Sequence, residues 1–181
     1  MINNKKIDLN TLKNHTDNHY LSVDKAKELY MQGKTCRSSY IFKLKNGEQI
    51  FFFGKRYNAD KYVKTGIFEK EDAFSWSNGK KLNIKIRFPE WQAGSNIQAC
   101  FNLMYVFTGA QSISVKVNNA IVYKGKINQG KDLVFNFTLH EDKIADIIIA
   151  LPDACSPKDL GQSEDSRILA LAIKTAIFKI L

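Results

Sequence analysis

The stretch "KKLNIKIRF" restricts the fold more than any other part of the chain. Leu82, Ile84, Ile86 and Phe88 fall on one side of an extended backbone, and Lys81, Asn83, Lys85 and Arg87 on the other. Alternation with period two is the signature of a strand with one face in a core and one in water. The same period returns in "KDLVFNFTLHE" at Leu133, Phe135, Phe137 and Leu139. "YIFKLKNGEQIFFF" alternates on both sides of "KNGE", and "QSISVKVNNAIVYKGKI" reads as two strands joined by a tight turn at Asn118-Asn119. "IQACFNLMYVF" and "ADIIIALPDA" read as largely buried strands, and "SRILALAIKTAIFKIL" as the last one. Short strands separated by turns predict an all-β chain, an antiparallel β-sandwich or jelly roll.

Residues 1–44 break the pattern. They hold eight Lys/Arg against four Asp/Glu. "SVDKAKELYMQG" predicts a short helix with Ser22 as N-cap, Ala26, Leu29 and Tyr30 on one side, and Gly33 as the stop. The expected organisation is a basic N-terminal extension with a short helix over 1–44, then the sandwich over 45–181.

Composition narrows the function classes. A chain of 181 residues that is 44% hydrophobic and 12% aromatic is globular in character. Lys plus Arg number 27 against 18 Asp plus Glu, so an acidic partner is a natural candidate. The basic residues are spread along the chain, which is also what a solvated lysine-rich surface looks like. Cys36, Cys100 and Cys155 form no CxxC pair and are odd in number, which argues against a disulfide framework or a cysteine zinc site. No apolar run approaches the ~18 residues that span a bilayer. "MINNKKIDLNTLKNH" has no apolar core of a signal peptide. The expectation is a soluble protein, cytoplasmic or exported by a non-classical route.

Motifs for catalysis are sparse. The chain has no P-loop, no G-x-G-x-x-G after a strand, no G-x-S-x-G elbow and no H-E-x-x-H. His15 and His19 are four apart, but "NHTDNHY" is a poor helix former with no third ligand, and no metal or other cofactor is expected. Cys36 in "KTCRSS" is the best-placed thiol for nucleophilic chemistry, because cationic neighbours favour a thiolate. His140 reads as a turn residue. Two acidic clusters, Glu69, Glu71 and Asp72, and Asp153, Asp159, Glu164 and Asp165, could supply the paired carboxyls of a glycosidase. Nothing in the sequence fixes such a pair.

Binding chemistry is better represented. "FFFGKRYNADKYVK" interleaves Lys55, Arg56, Lys61 and Lys64 with Tyr57 and Tyr62, a pattern that suits nucleic acid or sugar. Trp76 in "FSWSNG" and Trp91 in "FPEWQAG" are expected at strand ends or turns. There an aromatic ring either stacks on the apolar face of a sugar or simply packs.

Taken together, "GEQIFFFGKRYNADKYVKTGIFEKEDAFSWSNGKKLNIKI", "ISVKVNNAIVYKGKI" and "IIIALPDACSPKDLGQSEDSRILALAIKTAIF" carry a resemblance. Gly66, Glu69, Trp76, Ser77 and Gly79 match its first motif, and Val117 and Asn118 its hairpin. Pro152, Asp153, Ser156, Pro157, Leu160, Gly161, Ser163, Asp165, Arg167, Leu169, Leu171 and Ile173 match its long closing motif. Residues 45–181 thereby resemble a β-sandwich, jelly-roll-like accessory domain found appended to bacterial membrane glycosyltransferases, phosphoglycerol transferases and other surface-polysaccharide proteins. Ile67, Asn119 and Ala170 depart from that pattern. The resemblance implies a non-catalytic domain associated with carbohydrate and supplies no catalytic residue.

The expected function is a carbohydrate-associated binding module for a cell-envelope glycan or a glycan-bearing protein, with Trp76, Tyr57, Tyr62 and Arg167 as ligand contacts. The alternative is a secreted or host-directed interaction protein that uses the sandwich to bind protein, nucleic acid or an anionic membrane. A glycan-active enzyme stands behind both. The closing stretch "LPDACSPKDLGQSEDSRILALAIKTAIFKIL" reads as a latch that seats the last strand. Pro152 and Pro157 stiffen it, Gly161 turns it, and Asp165 and Arg167 share a face.

Overall fold

The structure, a computed structural model, describes residues 20–21, 41–43, 48–54, 59 and 62–181. The expected helix over residues 22–33, His15, His19, Cys36, Tyr57 and the turn at 44–47 lie outside the described residues. The strands are β1 (Tyr20–Leu21), β2 (Ile41–Lys43), β3 (Gln49–Phe52), β4 (Val63–Thr65), β5 (Ile67–Lys70), β6 (Ser75–Ser77) and β7 (Lys81–Arg87). They continue with β8 (Asn96–Val106), β9 (Ala110–Val117), β10 (Ala120–Asn128), β11 (Leu133–Thr138), β12 (Ile144–Ala150) and β13 (Leu171–Ile180).

These strands form two sheets packed as an all-β sandwich. The five-stranded sheet runs β10-β9-β12-β7-β4, with every pairing antiparallel. The larger sheet is organised around β13. One edge of β13 pairs with β8, which pairs onward with β11. Along its other edge β3 and β6 lie end to end, at Thr175–Phe178 and Ala172–Ile173 respectively. β2 and β1 extend the sheet beyond β3, and β5 beyond β6. Strand pairing therefore crosses residue 44, because Phe42 and Lys43 pair with Ile50 and Gln49.

The alternation expected over 82–88 and 133–139 is the burial observed: Leu82, Ile84, Ile86, Phe88, Leu133, Phe135, Phe137 and Leu139 are all core residues. From the five-stranded sheet β9 and β12 add Ile113, Val115, Val117, Ala145, Ile147 and Ile149, and from the larger sheet β8 and β13 add Ile97, Ala99, Phe101 and Phe178. Trp91 belongs to this core, 4% exposed and stacked on Phe88 at 4.5 Å between ring centroids. Asn118 and Asn119 have φ of 49° and 71°, the two left-handed residues that a tight hairpin turn requires. Asn tolerates this conformation, so Asn119 serves where the resembling pattern has glycine.

Two segments differ from their simple sequence reading. The strand 97–107 is not buried throughout: Met104 and Tyr105 are 38% and 46% exposed. The reason is a pair of irregularities in the β8–β13 ladder. Ala172 pairs with Tyr105 and Ile173 with Leu103, which leaves Met104 extra; Thr175 then pairs with Asn102, which leaves Lys174 extra. Each bulge inverts the side-chain parity beyond it. On β13, Leu171 and Ile173 therefore face the core at one end, and Ala176 and Phe178 at the other.

The closing stretch is a latch, as expected. Cys155 and Leu169 exchange backbone hydrogen bonds of 3.2 and 2.9 Å, and Lys158 N–H donates to Asp165 O at 2.9 Å. The hydroxyl of buried Ser156 accepts from the N–H of Asp159, and Gly161 turns the chain at φ 68°. Cys100 and Cys155 are free thiols. Among the described residues no helix is long and apolar enough to cross a membrane.

Candidate functional site

Gly66 brings the chain to the site. β4 ends at Thr65 in the five-stranded sheet and β5 begins at Ile67 in the larger one, so Gly66 is the residue at which the chain changes sheet. Its φ is 92°, and a Cβ there would stand 2.0 Å from Lys81 O. Only glycine fits such a corner. β5 then turns back into β6, "SWS". Ser75 and Ser77 are buried: the Ser75 hydroxyl donates to Phe53 O, and Ser77 Oγ accepts from Leu171 N–H at 3.0 Å. With both serines used to fix the strand, Trp76 between them is turned to the opposite face.

That face is the outside of the larger sheet. Trp76 and Tyr105 both pair with Ala172, one from each side. Two strand spacings put their backbones ~9.6 Å apart. Their ring centroids are only 6.2 Å apart and nearly parallel at 19°. The rings therefore lean toward each other over Ala172, which has no exposed surface although it points out of the core. Phe74 and Phe107 stand edge-on to Trp76, at 6.0 and 6.2 Å, and Phe74 is also edge-on to Tyr105 at 5.8 Å. The result is an open aromatic platform of Phe74, Trp76, Tyr105 and Phe107, bordered by exposed Met104.

Side chains hold the platform strand where backbone pairing ends. β11 pairs β8 only as far as Phe101. Beyond it, Asp132 accepts from Leu103 N–H at 3.0 Å and Gln129 accepts from Val106 N–H at 2.7 Å. The Gln129 amide donates to Met104 O at 3.3 Å, and Phe107 O accepts from the Gln111 amide. Asn102 and Thr175 are the next outward-facing pair along the ladder, joined by a 2.6 Å hydrogen bond, with Asn102 also donating to Asp132 at 2.8 Å. The aromatic cluster thus borders a short polar row. Cys100 lies on the same face, its thiol pushed up by burial and by the nearby Asp132.

Of the four residues read from sequence as ligand contacts, Trp76 is at the centre of this platform. Tyr57 is outside the described residues. Tyr62 packs its ring edge-on against Phe51 at 4.8 Å and against the core, and burial pushes its phenol up. Arg167 bonds to Asp165, reaches Glu71 at 3.6 Å and lies 5.7 Å from the centre of the Phe68 ring. Phe74, Tyr105 and Phe107 carry no sequence motif of their own. The spacing Phe74-x-Trp76 is a sign of the cluster, because residues two apart in a strand share a face. Among the described residues no group of three His, Cys, Asp or Glu side chains converges as metal ligands.

No protein-family model and no curated protein matches this sequence. Among solved structures, the chain is similar to a GH26-CBM35 beta-(1,4)-mannanase from Podospora anserina. The TM-score is 0.45 at 10% identity, over 76% of this chain and 28% of the mannanase. It is also similar to the CBM36-1 domain of a multidomain xylanase from the hindgut metagenome of Trinervitermes trinervoides, at TM-score 0.42 and 9% identity, over 75% of this chain and 98% of that domain. A third likeness, to a xylan-binding module CBM15, has TM-score 0.32 and 10% identity over 74% of this chain and 97% of the module. The chain thus spans under a third of the mannanase and nearly all of the two modules.

Proposed function

We propose that this protein is a non-catalytic carbohydrate-binding module whose ligand rests on the aromatic platform of the larger sheet. The observation that carries the reading is the Trp76–Tyr105 pair leaning over Ala172 on an outward face. A sugar ring presents C–H groups on its faces and hydroxyls around its rim. The faces lose water favourably against flat aromatic rings, while the rim needs hydrogen-bond partners. Phe74, Trp76, Tyr105 and Phe107 offer the first, and Asn102 and Asp132 the second. Tyr105 and Met104 are exposed at the β8 side of the platform, which suits one face of a polymer better than a buried monosaccharide. Glu71 and Asp165 both point their carboxylates at Arg167, an arrangement that ties a loop together rather than flanking a glycosidic bond. The natural ligand we assign is a cell-envelope glycan or a glycan-bearing partner, the module acting beside enzymes that build surface polysaccharide.

An open platform with exposed Met104 and Tyr105 also has the character of a protein-docking patch. Calorimetry and a glycan array on the full chain separate the two. Glycan binding that disappears in Trp76→Ala, with the thermal unfolding profile retained, supports the proposal. No glycan binding at millimolar ligand, together with a protein captured only by the intact platform, replaces it with the second reading.

A further inference from the structure

The outer face of the five-stranded sheet is as basic as the other outer face is aromatic. Its outward positions include Lys81, Lys85 and Arg87 on β7, Lys116 on β9, and Lys124 and Lys126 on β10. Asp146 on β12 is turned to the same face, half-buried beside Lys85.

Strand register shapes one end of this face into a trough. Lys124 pairs with Ser114, Ser114 with Ala150, and Ala150 with Lys81. One step along, Lys126 pairs with Ser112. Small residues make the floor and cations stand at both walls, which are three strand spacings or roughly 14 Å apart. A cleft of about 570 Å3 occupies this end, lined by Lys80, Ser112, Ser114, Lys124, Lys126 and Pro152. Asp153 marks its boundary. Its carboxylate takes hydrogen bonds from the Ser112 hydroxyl and N–H, and it lies near Lys126 and Lys80.

Shape and charge together select the occupant. A bilayer would need a continuous apolar patch to bury, and this face has only the half-buried Ile144 and Ile148 on β12, set among Arg87, Asn83 and Lys116, and the exposed Ile121 on the edge strand, away from the cleft floor. A single nucleic-acid strand would need rings to stack its bases, and the floor here is serine and alanine. A duplex would ride on the lysine tips and leave the floor empty. A saccharide chain that carries regularly spaced anions meets both requirements, with its charges at the walls and its sugar rings over the small residues of the floor. We propose that the trough binds an acidic polysaccharide, bearing carboxylates or phosphodiesters, at a site separate from the aromatic platform.

The test uses the full chain with polygalacturonate and phosphomannan as the two anionic probes and neutral xylan as the control, in affinity electrophoresis and calorimetry at low ionic strength. Retention by either polymer supports the proposal, and the preferred polymer identifies the anion. Replacing Lys80, Lys124 and Lys126 together by Gln should weaken that binding about tenfold or more and flatten its salt dependence, since fewer counterions are exchanged. Ser114→Tyr, or the milder filler Ala150→Leu, should weaken it comparably with the charge unchanged, whereas Trp76→Ala should leave it intact. Failure of the aromatic platform would appear separately, as loss of neutral-glycan binding. The proposal is overturned if neither acidic polymer binds, or if binding survives both filling variants in folded protein. It is equally overturned if phosphatidylglycerol vesicles or duplex DNA bind as tightly and ignore the fillers.

Discussion

Arg167 holds Asp165, two residues before it, through a guanidinium fork and its own backbone. Nε lies 3.1 and 3.0 Å from the two carboxylate oxygens, Nη2 lies 2.7 Å from Oδ2, and the Arg167 N–H donates to Oδ1 at 2.9 Å. The same guanidinium reaches Glu71, in the turn between β5 and β6. The loop that feeds β13 is thereby tied to the segment that carries Phe74 and Trp76.

Arg167→Ala should free that loop without unfolding the sandwich. The Arg167 and Asp165 side chains are 40% and 28% exposed, and exposed ion pairs add little to global stability. We expect faster amide exchange at Lys158, whose N–H bonds to Asp165 O, and at Arg167 itself, with the thermal midpoint nearly unchanged. Arg167→Lys should not restore protection, because an ammonium lacks the two-pronged geometry. Exchange measured by mass spectrometry decides it: unaltered protection around 158–167 in Arg167→Ala would remove the latch role.

Asp153 gives the fold a defined response to acid. Hydrogen bonds from the Ser112 side chain and backbone, reinforced by Lys126 and Lys80, hold its carboxyl below the usual carboxylate range. A depressed folded-state value means stability that is fully present above the unfolded value near ~3.9 and is lost as pH falls through the folded value. Asp153→Asn should therefore be less stable than the parent at neutral pH. The gap between their denaturation midpoints should stay constant down to about pH 4 and close below it. A gap that instead widens in acid would show that the carboxylate is not the stabilising form.

The parts legible in the sequence are those set by neighbours in the chain. Leu82, Ile84 and Ile86 announce a half-buried strand because burial on one face forces period two. Asn118-Asn119 announces its turn because both residues accept left-handed backbone. Asp165 and Arg167 are two apart, close enough for their pairing to be foreseen. The platform is different, because it depends on register between distant strands. Tyr105 faces outward only because Met104 is an extra residue opposite β13, and nothing in "NLMYVF" marks that bulge. Ser75 and Ser77 look like polar surface, yet their partners, Phe53 O and Leu171 N–H, arrive only when β3 and β13 dock. Trp91, readable as a ligand ring, stacks on Phe88 inside the core.

Gly66 should tolerate no side chain. Its φ of 92° is outside the range other residues adopt readily, and a Cβ would meet the backbone at Lys81 O and at Leu82 Cα, 2.7 Å away. Backbone atoms of a paired strand cannot give way as the tip of a lysine can. We expect Gly66→Ala to cost at least about 3 kcal/mol in urea denaturation, combining backbone strain with the clash. Gly79→Ala is the control: its φ is similar, 78°, but no atom lies within 4 Å of the added Cβ, so strain acts alone and the loss should be smaller. Equal losses at the two positions would show that the close approach to β7 contributes nothing.

Trp76 and Tyr105 should act as one binding element. The two rings stack on each other over Ala172, so each fixes the position of the other. Removing either ring leaves the other without its neighbour and opens a gap above Ala172. We expect Trp76→Ala and Tyr105→Ala each to weaken glycan binding about tenfold, or ~1.4 kcal/mol. The double variant should lose clearly less than the sum, as residues in contact do. Stability should fall by only about 1 kcal/mol in either single variant, because the rings lie on the outer face and the core beneath Leu171 and Ile173 is untouched. Trp76→Phe keeps a ring and should retain part of the affinity, which separates stacking from mere occupancy. Calorimetry on the four proteins completes the cycle. Strict additivity would mean that the two rings contact the ligand independently and that the platform is not a unit.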